Sequence, residues 1–108
     1  MTVETGALRL VADVGGTNAR FALATPDGRC EAAANLRVAE FPEFDDALAA
    51  YLQRLDRQTR RRIASAAFAA AGPVEHDVIK LTNAPWQLAA PHLAEQLGGV
   101  PAAIFNDL

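Results

Sequence analysis

Apolar residues gather at Leu8–Arg9–Leu10–Val11–Ala12 before the chain reaches Asp13 and the pair Gly15–Gly16, the pattern of a largely buried strand running into a turn. Arg20 to Ala24 is a second strand, Pro26–Asp27–Gly28 a strong turn, and Arg29 to Val38 a returning third strand, together an antiparallel meander. The period then changes. Phe44, Ala47, Leu48, Tyr51, Leu52 and Leu55 recur at three- and four-residue intervals, which predicts an amphipathic helix. Pro42, Glu43, Asp45 and Asp46 suit its positive end, and Arg57, Arg60, Arg61 and Arg62 suit its close. Ile63 to Ala71 is apolar and stops at Gly72–Pro73. Its alanines suit a helix equally, but the Gly-Pro stop favours a buried strand. Val78 to Leu81 is a short extended piece, and Pro91 to Leu97 a short helix ended by Gly98. Val100 to Phe105 is a last strand that delivers Asn106–Asp107 to its carboxyl end, where open α/β sheets place their ligands. The order β-β-β-α-β-(β)-α-β predicts a mixed sheet with helices between its later strands.

Composition narrows the function classes. With 108 residues, 51% hydrophobic and 21% charged, the chain has the balance of one globular domain. Ten cations against thirteen carboxylates give a net charge of −3, which removes the main term in non-specific nucleic-acid binding, so no nucleic-acid partner is expected. Cys30 is alone, so no disulfide can form within the chain, and a lone thiol in a strand reads as a small hydrophobe in a reducing compartment. The uncharged stretch Ile63 to Val74 is shorter than the ~18–20 residues a membrane helix needs, and the N-terminus has no basic leader. A cytoplasmic protein without a membrane partner is the expectation.

Three places can carry chemistry. Consecutive glycines after a strand, in Asp13–Val14–Gly15–Gly16–Thr17–Asn18, let backbone N–H groups approach a phosphate, with Thr17 and Asn18 adding side-chain donors. Asp13 at the strand end can hold Mg²⁺, usually through water. A plain hairpin turn using positive φ at Gly15–Gly16 is the competing reading, and composition alone favours it. The loop is neither a Walker A motif nor G-x-G-x-x-G. Asp107 after an apolar strand can accept a hydroxyl proton, and the Asn106 amide can both donate and accept. An Asx cap on a following helix fits the same two residues. Gly72–Pro73 with Thr82–Asn83–Ala84–Pro85–Trp86 could line a sugar site, or be two loop turns and a core tryptophan. His76 and His92 lack metal-ligand spacing.

Taken together, the spaced blocks change the balance between these readings. Leu10–Val11–Ala12–Asp13–Val14–Gly15–Gly16–Thr17–Asn18–Ala19–Arg20–Phe21–Ala22–Leu23 resembles the amino-terminal phosphate loop of bacterial glucokinases. Ala71–Gly72–Pro73–Val74, Leu81–Thr82–Asn83 with Trp86, and Phe105–Asn106–Asp107–Leu108 resemble later blocks of that family in the same order. The resemblance spans nearly the whole chain.

It implies the ribonuclease H-like fold of the actin, hexokinase and heat-shock ATPase superfamily, an α/β architecture with a mixed five-stranded sheet and flanking helices. It implies transfer of the ATP γ-phosphoryl group to the 6-hydroxyl of glucose in glycolysis, with ATP and Mg²⁺ required. Asp107 matches the family's general base and Asn106 a sugar-binding residue. Asp13 matches the carboxylate that works with magnesium, Gly15, Gly16, Thr17 and Asn18 the phosphate loop, and Gly72, Thr82 and Asn83 the border of the sugar cleft. Family members are much longer, so residues 1–108 are expected to be the amino-terminal small lobe, inactive without a second lobe, of a parent for which a homodimer is allowed. Two rivals stay open. One is a kinase of the repressor/open-reading-frame/kinase group acting on another hexose or an N-acetylhexosamine, which Asn18–Ala19–Arg20 disfavours because that group more often has Lys in place of Asn18. The other is a non-catalytic sugar-binding or interaction module.

Overall fold

The computed structural model describes residues 8–82 and 84–106, so Asn83 and Asp107 lie outside the described residues. Strands β1 (Leu8–Val14), β2 (Asn18–Ala24), β3 (Cys30–Arg37), β4 (Ile63–Ala70) and β8 (Ala102–Asn106) form one sheet in the order β3-β2-β1-β4-β8. The meander β1-β2-β3 is antiparallel, while β4 and β8 run parallel to β1. Strands β5 (Val74–Glu75), β6 (Val78–Lys80) and β7 (Gln87–Ala89) make a second, antiparallel sheet. The α/β architecture with a mixed five-stranded sheet is the one expected.

Alternation along β1 explains how the sheet packs. Leu8, Leu10, Ala12 and Val14 are buried on one face, whereas Arg9, Val11 and Asp13 lie on the other. On the covered face they meet Ala19, Phe21 and Leu23 of β2, Ala66, Phe68 and Ala70 of β4, and the apolar stripe of α1 (Phe44–Gln53). An aromatic cluster fills the centre: Phe21 stacks on Tyr51 at 4.9 Å and on Phe44 at 5.8 Å, and Phe44 meets the edges of Phe68 and Trp86 at 5.6 Å each. Helix α3 (Ala90–Gln96) is tied to α1 by His92 Nε2 at 2.6 Å from Asp45 Oδ2 and by Gln96 Nε2, which donates to the Asp45 carbonyl at 2.9 Å.

Several local expectations are corrected. Helix α1 ends at Gln53, and the arginine cluster instead forms a separate short helix α2 (Arg57–Arg61), because Asp56 accepts from Thr59 N at 2.7 Å and starts a new turn. The third strand stops at Arg37, and Val38–Glu40 is a 3₁₀ turn. Cys30 is exposed rather than a buried hydrophobe. Within β3, Ala32 has φ of 53° where the register with β2 slips between Phe21 and Leu23, a β-bulge whose carbonyl accepts from Tyr51 Oη at 2.8 Å. Strands β5 and β7 are additions to the expected order. The β5–β6 hairpin turns on His76 and Asp77 with φ of 53° and 63°, the geometry of a type I′ turn built without the usual Asn-Gly signal.

Candidate functional site

Parallel strands align their carboxyl ends, and here three do so in register: Val14 of β1 pairs with Ala70 of β4, and Ala70 with Asn106 of β8. The chain leaves this edge in one place through Gly15–Thr17, in a second through Ala71–Gly72, and in a third at Asn106. Val14 and Asn106, 92 positions apart in sequence, are thereby brought to within two strand spacings, ~10 Å.

The first loop is a tight connection between antiparallel strands, closed by Gly15 N donating to Asn18 O at 2.9 Å and braced from behind by Val38 N donating to Thr17 O at 2.9 Å. It borders a concavity of about 320 Å³ lined by Asp13, Gly15, Gly16, Thr17, Asn18 and Arg20. Asp13 and Arg20 pair across the hairpin and are both exposed. Residues bearing a hydroxyl, a carboxamide and a guanidinium thus line one opening beside the glycine backbone, a donor set suited to phosphate oxygens. The carboxylate beside them is of the kind that meets Mg²⁺ through its water shell. Arg20 carries no predicted role from the sequence. Its signal was the hairpin register, which puts it opposite Asp13.

Gly15 does not take the left-handed backbone that the plain-turn reading required, and a Cβ there would lie 3.6 Å from Asn18 O, an ordinary contact. The backbone tolerates a side chain at position 15. What the missing side chain leaves is open space over the loop.

The second loop is wired into the interior. Gly72 is buried, and a Cβ on it would stand 2.2 Å from the Lys80 carbonyl oxygen, so only glycine lets the chain pass β6 here. Thr82 is exposed and turns back on the same loop, its N and Oγ1 both donating to Ala71 O at 3.2 and 3.3 Å. Trp86 is no wall for a sugar ring: it is 2% exposed and its Nε1 donates to Phe41 O at 3.1 Å. Asn106 closes the edge as an exposed residue at the end of β8. Among the described residues no three His, Cys, Asp or Glu side chains gather as a metal site, and no helix is long and apolar enough to cross a membrane. A wider depression of about 510 Å³ continues from Asp13 and Arg20 over Val11, Ala22 and Ala34 on the open face of the sheet.

The family model for glucokinase matches residues 10–108. The chain belongs to the glucokinase family. It is 37% identical over 99 residues to a glucokinase of Chromobacterium violaceum, covering 92% of this chain and 28% of that one. It is 40% identical over 101 residues to a glucokinase of Nitrobacter hamburgensis, covering 94% and 31%. The crystal structure of a glucokinase from an Antarctic psychrotroph superposes with a TM-score of 0.80 at 29% identity, over 93% of this chain and 32% of that one. A ROK family protein from Streptococcus pneumoniae in complex with sucrose follows less closely, with a TM-score of 0.69 at 25% identity over 93% and 34%. The fold is that of the actin-like ATPases, and the kinases of the repressor/open-reading-frame/kinase group are the weaker match. This glucokinase-family chain spans about 30% of the length of the curated relatives it matches.

Proposed function

We propose that this chain is the small lobe of a cytoplasmic, ATP-dependent glucokinase acting in glycolysis, and that its strand-end edge holds the reacting groups of both substrates. The observation that carries the reading is the register Val14, Ala70, Asn106, in which the strand leading into the glycine loop and the strand ending at Asn106 share one edge.

ATP phosphates lie over Gly15, Gly16, Thr17 and Asn18, where the Thr17 hydroxyl, the Asn18 amide and loop N–H groups other than that of Gly15 donate to them, with Arg20 as a further donor. Asp13 is the residue that would hold Mg²⁺, and the ion when bound would supply neutralisation of the charge on the transferring phosphate. Glucose lies on the Asn106 side, where that amide meets sugar hydroxyls and Thr82 and Asn83 border the ring. Asp107 takes the proton from the 6-hydroxyl as its oxygen bonds to the γ-phosphorus and the bond to ADP breaks. Little covalent work falls to the protein, so rate depends on positioning and on excluding water between two lobes. Residues 1–108 form one wall of such a cleft. Adenine binding and closure belong to a second lobe.

In the full-length protein, Asp107→Asn is expected to lower kcat by about 10²–10⁴-fold while glucose binding, measured by titration, stays within about threefold. Turnover near that of the unaltered enzyme would remove Asp107 from the role of base.

A further inference from the structure

The phosphate loop and the sugar-side loop are connected behind the site by a continuous run of hydrogen bonds. Thr17 O accepts from Val38 N at 2.9 Å, and Val38 O accepts from Phe41 N at 3.1 Å. Phe41 O accepts from Trp86 Nε1 at 3.1 Å, and Trp86 O accepts from Leu81 N at 3.1 Å. The next residue, Thr82, donates to Ala71 O where the chain leaves β4. Packing keeps this path stiff. Val38, Leu81 and Trp86 are buried, and Phe44 meets the Trp86 ring at 5.6 Å and 68°.

We propose that Trp86 is a positioning residue which, through Phe41 and the 3₁₀ turn Val38–Glu40, sets the sugar-side loop at a fixed distance from the phosphate loop. The inference rests on the glucokinase reading of the two loops. Indole offers a large apolar body and one N–H donor with no acceptor, so it can fill the core and still hold one named carbonyl. Each loop can bind its own ligand without that connection. Transfer between the ligands cannot tolerate drift, since a displacement of about 1 Å can slow a positioned reaction by roughly 10²-fold.

The test uses the full-length protein and two variants at opposite ends of the run. Trp86→Phe keeps a ring in the core and removes the donor to Phe41. Val38→Pro removes the donor to Thr17 at the first position of a 3₁₀ turn, after an Arg37 already extended at φ −87° and ψ 127°, where proline fits. Each is expected to lower kcat about tenfold, with glucose and ATP affinities, each measured alone, within about twofold. The double variant should be no slower than the slower single one, because one break already disconnects the loops. Unchanged kcat in Trp86→Phe overturns the proposal, and so do losses that multiply in the double variant alongside additive falls in the melting midpoint, the signature of structural damage alone. If the unaltered protein does not phosphorylate glucose, the glucokinase reading is what fails. Amide exchange then judges the connection by itself: it stands if Trp86→Phe speeds exchange at Val38 N and Leu81 N together, and falls if only Leu81 responds.

Discussion

Two glycine-bearing loops leave the same sheet edge, and they use glycine for opposite reasons. At Gly72 the fold demands it, because a Cβ would be driven to 2.2 Å from the Lys80 carbonyl. At Gly15 the fold makes no such demand, since φ is not left-handed and a Cβ would meet Asn18 O only at 3.6 Å. The first glycine is explained by what the chain packs against; nothing the chain packs against explains the second. Resemblance to a family motif marks both alike. Only the structure separates them.

That separation breaks if a side chain at Gly72 is tolerated. Gly72→Ala is expected to destabilise the fold by about 1–3 kcal/mol, as overpacking against an immovable backbone does. It should appear as a lower denaturation midpoint at unchanged denaturant slope. A midpoint equal to that of the unaltered chain would mean the β5–β6 hairpin swings away freely and that Gly72 owes its place to the ligand after all.

A smaller effect tests the antiparallel side of the sheet, away from Gly72. Tyr51 Oη holds the carbonyl of the bulged Ala32 in β3, the strand beside β2, and burial pushes its hydroxyl pKa up to about 12 from an ordinary 10. The neutral phenol is therefore the form the fold favours. Its stabilising contribution is complete below pH 10 and is lost as pH rises from 10 through about 12. Tyr51→Phe should cost about 1 kcal/mol at neutral pH and flatten the fall in melting midpoint above pH 10. An equally steep alkaline fall in the variant would locate the titration elsewhere.

How much of this was visible in the sequence follows from the kind of signal each element carries. Helix α1 and strands β1, β2, β4 and β8 announce themselves by apolar period and flanking turn residues, and they set the architecture. Sheet β5-β6-β7 does not, because its strands are two or three residues long and its tight turn places His76 and Asp77, not glycine, at positive φ. The arginine cluster reads as the close of α1 because charge at a helix end says nothing of whether Asp56 has started a new one. For the candidate site, adjacent residues such as Gly15–Asn18 stand together as a block in the sequence, whereas the place of Arg20 opposite Asp13 depends on cross-strand register and the inward turn of Trp86 on a bond to Phe41, neither of which has a local pattern.

The central claim is that one edge serves phosphate at Gly15–Asn18 and sugar at Asn106, and a crossed steady-state measurement in the full-length protein tests it most directly. Gly15→Ala should leave the melting midpoint unchanged and raise the KM for ATP about tenfold, with the KM for glucose within about twofold; Asn106→Ala should do the reverse, on the scale of one or two lost hydrogen bonds. If Gly15→Ala moved neither constant, or both variants raised the same one, the division of the edge into a phosphate side and a sugar side would be contradicted.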